Sequence, residues 1–95
     1  MAWKGREIVI DHMRNVDHEM IECGVTTDDV LEVLEEGVCP VKRKKGIMEK
    51  WLRIERYVTM VVVEDCQDYW LVRHVTRIRV SKRLLKVAGG AKNET

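Results

Sequence analysis

A chain of 95 residues that is 45% hydrophobic and 35% charged supports one folded domain and excludes a disordered chain. No apolar run approaches the ~20 residues of a membrane span, and the opening Met-Ala-Trp-Lys-Gly-Arg-Glu lacks the apolar core of a signal peptide; a cytoplasmic protein without a membrane partner is expected. The net charge of +1 hides a division: residues 1–37 hold ten Asp/Glu against three Lys/Arg (net −7), and residues 38–95 hold six against fourteen (net +8).

Such asymmetry suits a polyanion-binding surface, or self-association through complementary faces. In chain order, Arg6–Ile10 is a short β-prone run that ends at Asp11, a good helix N-cap. Met13, Val16, Met20 and Cys23 then recur at helical spacing, and Gly24 stands where a helix end favours a left-handed residue. These residues predict a first helix over 12–23.

The second helix has the sharpest local signal. Thr26 and Asp29 form a capping-box pattern, with Val25 and Val30 at the staple positions. Asp28 and Asp29 place negative charge at the positive end of the helix dipole. Val30, Leu31, Val33 and Leu34 supply its apolar stripe, and Gly37 closes it. The short link predicts a compact helix hairpin.

From Val38 the period becomes extended. Pro40 confines Val38–Arg43 to an edge or to a strand start. Lys44-Lys45-Gly46 reads as a turn, and Met48 to Glu55 alternates. Val58–Val63 is nearly continuous apolar sequence, suited to a central strand. Asp65 to Asp68 is a turn, and Tyr69–Val80 a long alternating strand. Ser81–Val87 suggests a short helix, and residues 89–95 a flexible tail after a single domain over 1–88. The expected architecture is α+β: an N-terminal helix hairpin packed on a mainly antiparallel, twisted sheet of four to five strands.

Strict alternation along these strands sorts their side chains. Leu52, Ile54, Trp70, Val72, Ile78 and Val80 would lie under the helices, with His74 in phase with them. Trp51, Arg53, Tyr69, Arg73, Arg77 and Arg79 would face outward. A one-residue slip or a bulge would invert part of this assignment. Arginine beside aromatic residues suits phosphate pairing and base stacking; plain solvation of an outer sheet face explains the same residues. Lys42, Arg43, Lys44 and Lys45 either extend a phosphate-binding footprint or guard an edge strand.

The histidines are candidates for acid–base work. No metal or cofactor is expected, because no ligand cluster has standard spacing: His12 and His18 are off one helix face, and Cys23, Cys39 and Cys66 form no Cys-x-x-Cys pair. Free thiols are the plain reading.

The stretch from His12 to about Thr76 resembles a small uncharacterised family related to the RelE/ParE/BrnT toxin superfamily. The shared pattern is a histidine opening a helix (His12), the Gly24-Val25 break, and a capped Asp-rich helix from Thr26 to Gly37. Arg53 on a strand and the strand Val61-Val62-Val63 follow. Cys23 departs from the pattern, standing where an arginine is common. The resemblance implies a RelE-like sheet packed on a helix hairpin. It also implies a toxin-like RNA-interacting function, with metal-independent RNA cleavage as the candidate activity and an antitoxin-type protein as a partner. Candidate catalytic residues are then His12, Arg53, Arg73 and His74, with Tyr69 assisting. The alternative is a non-catalytic interaction module that binds a partner protein or a second copy.

Overall fold

The computed structural model describes residues 1–42 and 45–80. The expected helix at Ser81–Val87, the tail at 89–95, Arg43 and Lys44 therefore lie outside the described residues. The elements in chain order are β1 (Ala2–Trp3), β2 (Arg6–Ile10), a 3-10 turn (His12–Arg14), α1 (Val16–Cys23), α2 (Thr27–Glu36), β3 (Val38–Lys42), β4 (Ile47–Ile54), β5 (Tyr57–Asp65) and β6 (Tyr69–Arg79). The α+β class and the two consecutive helices agree with the sequence. Among the described residues no helix is long and apolar enough to cross a membrane.

The sheet is larger than expected and mixed. Its six strands run in the order β1-β2-β6-β5-β4-β3. The meander from β3 to β6 is antiparallel, but β2 joins β6 in parallel, pairing Ile8 with Trp70 and Ile10 with Val72. A two-residue strand, β1, folds back on β2. The parallel pairing was hidden because β2 and β6 are far apart in the chain. What fixes it is Trp3, which meets Trp70 with ring centroids 4.7 Å apart while its carbonyl accepts from Trp70 Nε1 at 3.0 Å. The Arg6 guanidinium lies 3.7 Å from the centroid of the Trp70 ring and pairs with Asp65 at 2.6 Å.

The predicted first helix is split. Asp11 caps the 3-10 turn by accepting from the Met13 N–H, and Asn15 takes a left-handed conformation (φ 56°) before α1 begins. The second helix follows its sequence signals: Thr26 Oγ1 accepts from the Asp29 N–H at 3.1 Å, and Asp29 Oδ2 accepts in turn from the Thr26 N–H at 2.9 Å. At its far end the Lys50 ammonium donates to the Leu34 carbonyl at 2.6 Å, supplying a charged donor where helix carbonyls lack partners.

Helix residues Val16, Met20, Val30, Val33 and Leu34 pack with Ile8, Val61, Val63, Trp70, Val72 and Val75 as the main core. Removing each such side chain from water contributes about 1.5–3 kcal/mol. As its composition suggested, β5 is central: Val58, Val61, Val62 and Val63 are all buried. β3, with Pro40, is an edge strand whose register shifts between Val38 and Val41, because proline cannot donate to a ladder.

Candidate functional site: the open sheet face

Antiparallel partners share a face, so the register sorts the side chains. Met48, Val63 and Val72 form one row beneath the helices, Lys50, Val61 and Val75 the next, and Leu52, Thr59 and Arg77 a third. The opposite face, termed open because neither α1 nor α2 packs on it, carries Glu64 and Leu71, then Glu49, Val62 and His74, then Trp51, Met60 and Thr76, then Arg53, Val58 and Ile78. Glu49, Val58 and Val62 are buried there, while Arg53 and Ile78 are exposed.

One irregularity decides this arrangement. Val63 pairs with Val72 but Val62 pairs with His74, so Arg73 is an extra residue on β6. Such a bulge reverses the phase of everything after it. His74 and Ile78, expected under the helices, belong to the open face. Arg77 and Arg79, expected on the open face, belong to the helix side. Trp51, Arg53 and Tyr69 keep their expected side.

The bulge also turns two consecutive residues to one side. Arg73 Nε lies 3.7 Å from Glu64 Oε1, and Glu64 is an open-face residue, so Arg73 faces the same way as His74. In an unbroken strand they would point in opposite directions.

His74 is held by a partner from the helix layer. β2 ends at Ile10, opposite Val72, and beyond it no strand among the described residues pairs with that edge of β6. Glu19 of α1 fills that edge: its carboxylate accepts the Val75 N–H at 3.1 Å and lies 3.0 and 3.1 Å from His74 Nδ1. Because a carboxylate only accepts, Nδ1 must carry the hydrogen, and in the neutral ring Nε2 is then the acceptor. The His74 side chain is 44% exposed.

Arg77 has a structural place instead. Its Nε donates to Thr59 Oγ1 at 2.9 Å, Nη1 donates to the Gly24 carbonyl at 3.2 Å, and Nη2 lies 3.5 Å from Asp29 Oδ2. The Thr26 backbone N–H, aided by the Thr26 hydroxyl and Arg77, holds the Asp29 carboxyl below its ordinary value against the opposing effect of burial.

The four residues singled out for catalysis do not form one constellation. Arg73 and His74 are adjacent. Arg53 pairs with Val58 and His74 with Val62, so their backbones stand about 17 Å apart, at ~3.4 Å per residue and ~4.8 Å per strand. His12 is exposed on its 3-10 turn, with Nδ1 3.5 Å from Asp17 Oδ2. The Cys66 side chain, through hydrogen bonding and charge, raises the Tyr69 phenol above its ordinary value, with lesser contributions from desolvation and from the Glu64 and Asp11 carboxylates. Tyr69 therefore stays protonated near neutral pH and suits stacking or donation better than proton abstraction. Trp51 donates from Nε1 to the buried Glu49 at 2.6 Å, which fixes its ring on the open face. Of the basic run, Lys45 is exposed beside β4, and Lys42 ends β3.

Glu19 and Glu64 are the functional candidates that sequence reasoning missed. Glu19 lies within the inward stripe of Val16, Met20 and Cys23, and an acid in such a stripe signals a partner. That partner could not be named without the bulge. Among the described residues no group of three or more His, Cys, Asp or Glu side chains is arranged to hold a metal ion.

No family model, no curated protein and no solved structure matches this chain.

Proposed function

We propose that this chain is a toxin-like RNA-interacting domain whose working surface is the open sheet face. The observation that carries this reading is the bulge at Arg73, which turns a guanidinium and a carboxylate-held histidine to the face opposite the helices. Trp51 and Arg53 lie on that same face. Guanidinium groups suit phosphate oxygens and an indole offers a stacking surface, the combination that single-strand binders use.

The test is fluorescence anisotropy with labelled single-stranded RNA across a salt series. Binding at low salt should weaken as salt rises, and Arg53→Ala or Arg73→Ala should each flatten the log–log slope by about 0.7, the share of one phosphate contact on a single strand. Absence of binding at low salt, or a slope unchanged in both variants, overturns the reading.

A second reading is favoured by the exposed Ile78 and Val38, and by the acids Glu7 and Glu64 that share this face with the arginines. Apolar side chains among charges of both signs suit a protein partner, either of antitoxin type or a second copy. A discrete dimer in light scattering, together with no RNA binding, would select it.

A further inference from the structure

On the open face the hydrogen-bonding sense of His74 is fixed from behind. Glu19 already accepts the Val75 N–H through Oε1, and its approach to His74 Nδ1 at 3.0 and 3.1 Å makes that nitrogen the donor. The neutral ring therefore keeps Nε2 as an acceptor, on a side chain that is 44% exposed. Its neighbour Arg73 offers only donors, as does Arg53. On the open face the carboxylates Glu49 and Glu64 are engaged with Trp51 and Arg73, and Glu7 lies two strands from Val62, on β2 opposite Tyr69. In the neutral form of the ring, His74 Nε2 is thus an acceptor beside a cation suited to a phosphate.

A single-stranded nucleic acid lying here would bring its phosphates to the arginines and its sugars alongside. The one sugar group that can donate to a neutral acceptor in RNA, and is missing in DNA, is the 2′-hydroxyl. We infer that the Glu19–His74 pair reads the ribose 2′-hydroxyl and makes this face selective for RNA over DNA. This rests on the proposed nucleic-acid role of the face. His74 makes the contact, and Glu19 is a positioning residue that holds its tautomer.

The experiment compares two oligonucleotides of one base sequence, built from ribose or deoxyribose, each about a dozen nucleotides long to span a typical single-strand site. Both carry uracil, so that only the sugar differs. The wild-type protein should bind the RNA about fivefold more tightly at low salt, as one added neutral hydrogen bond would give. His74→Asn keeps an N–H donor for Glu19, while its acceptor Oδ1 falls short of the position of Nε2. It should lose the RNA preference while holding its affinity for the DNA. Glu19→Ala should narrow the preference too, and ring nitrogen NMR shifts should show that His74 no longer holds the Nδ1–H form.

Equal binding of both oligonucleotides by the wild type overturns the inference, while the nucleic-acid role stands. A preference that survives His74→Asn also overturns it, and leaves the pair as a cap on the strand edge. Binding of neither oligonucleotide overturns the nucleic-acid role itself, and the inference with it.

Discussion

Arg77 Nη2 lies 3.5 Å from Asp29 Oδ2, tying the end of the last strand to the first turn of the second helix. The same guanidinium reaches the Thr59 hydroxyl and the Gly24 carbonyl, so one side chain joins two strands, the interhelical turn and the helix cap. Arg77→Ala should lower unfolding free energy by roughly 2 kcal/mol, within the range for hydrogen bonds to charged groups, and leave RNA affinity nearly unchanged per folded molecule. Arg53→Ala should do the reverse, since Arg53 is exposed on the open face. Urea denaturation and anisotropy on both variants separate the two roles. Equal effects on affinity would undo the assignment.

Acid should reveal the Asp29 cap. Its carboxyl is held below the ordinary value of 3.8, first by the Thr26 backbone N–H and further by the Thr26 hydroxyl and Arg77. A carboxyl whose folded pKa is depressed contributes stability above its unfolded value, and loses it as pH falls through the folded one. The gap in urea midpoint between wild type and Asp29→Asn should therefore be widest near neutrality. It should close as pH drops below 3.8. A constant gap across that range would place the loss elsewhere.

Two glycines should respond to alanine for different reasons. Gly24 ends α1 at φ 72° with open space where a Cβ would be, so Gly24→Ala should cost about 1 kcal/mol of left-handed strain. Gly37 has ordinary φ, but a Cβ there would run into the Val33 carbonyl oxygen and lie 2.8 Å from that of Trp51. Both obstacles are backbone and cannot rotate away. Gly37→Ala should cost the ~1–3 kcal/mol of overpacking, more than Gly24→Ala, and thermal melts of the two variants rank them.

Glu64 restrains the proposed surface. Its carboxylate sits 3.7 Å from Arg73 Nε and would compete with a phosphate for that guanidinium. Glu64→Gln should tighten RNA binding at low salt, with the gain shrinking as salt screens the charge. Weaker RNA binding in Glu64→Gln would mean that the pair is needed to aim Arg73.

What local chemistry controls was legible in the linear chain. The Thr26–Asp29 cap, the αL glycine at 24, the edge strand marked by Pro40 and the buried run in β5 depend on neighbours within a few residues. Each holds in three dimensions. The sides taken by Trp51 and Arg53 were legible too, because β4 is regular from Ile47 to Ile54.

The tertiary structure alone decided what depended on distant partners. Alternation counts residues in steps of two and cannot see an extra one, so it put Arg77 on the open face and His74 under the helices. The bulge at Arg73 exchanged them, because Val63 and Val72 stay together in the core while Val62 pairs with His74. The parallel β2–β6 pairing, which leaves the later part of β6 for Glu19 to cover, joins segments some sixty residues apart. Local propensity specifies the elements. Long-range packing sets their register, and register determines which charges the molecule pairs within itself and which it turns away from the helices.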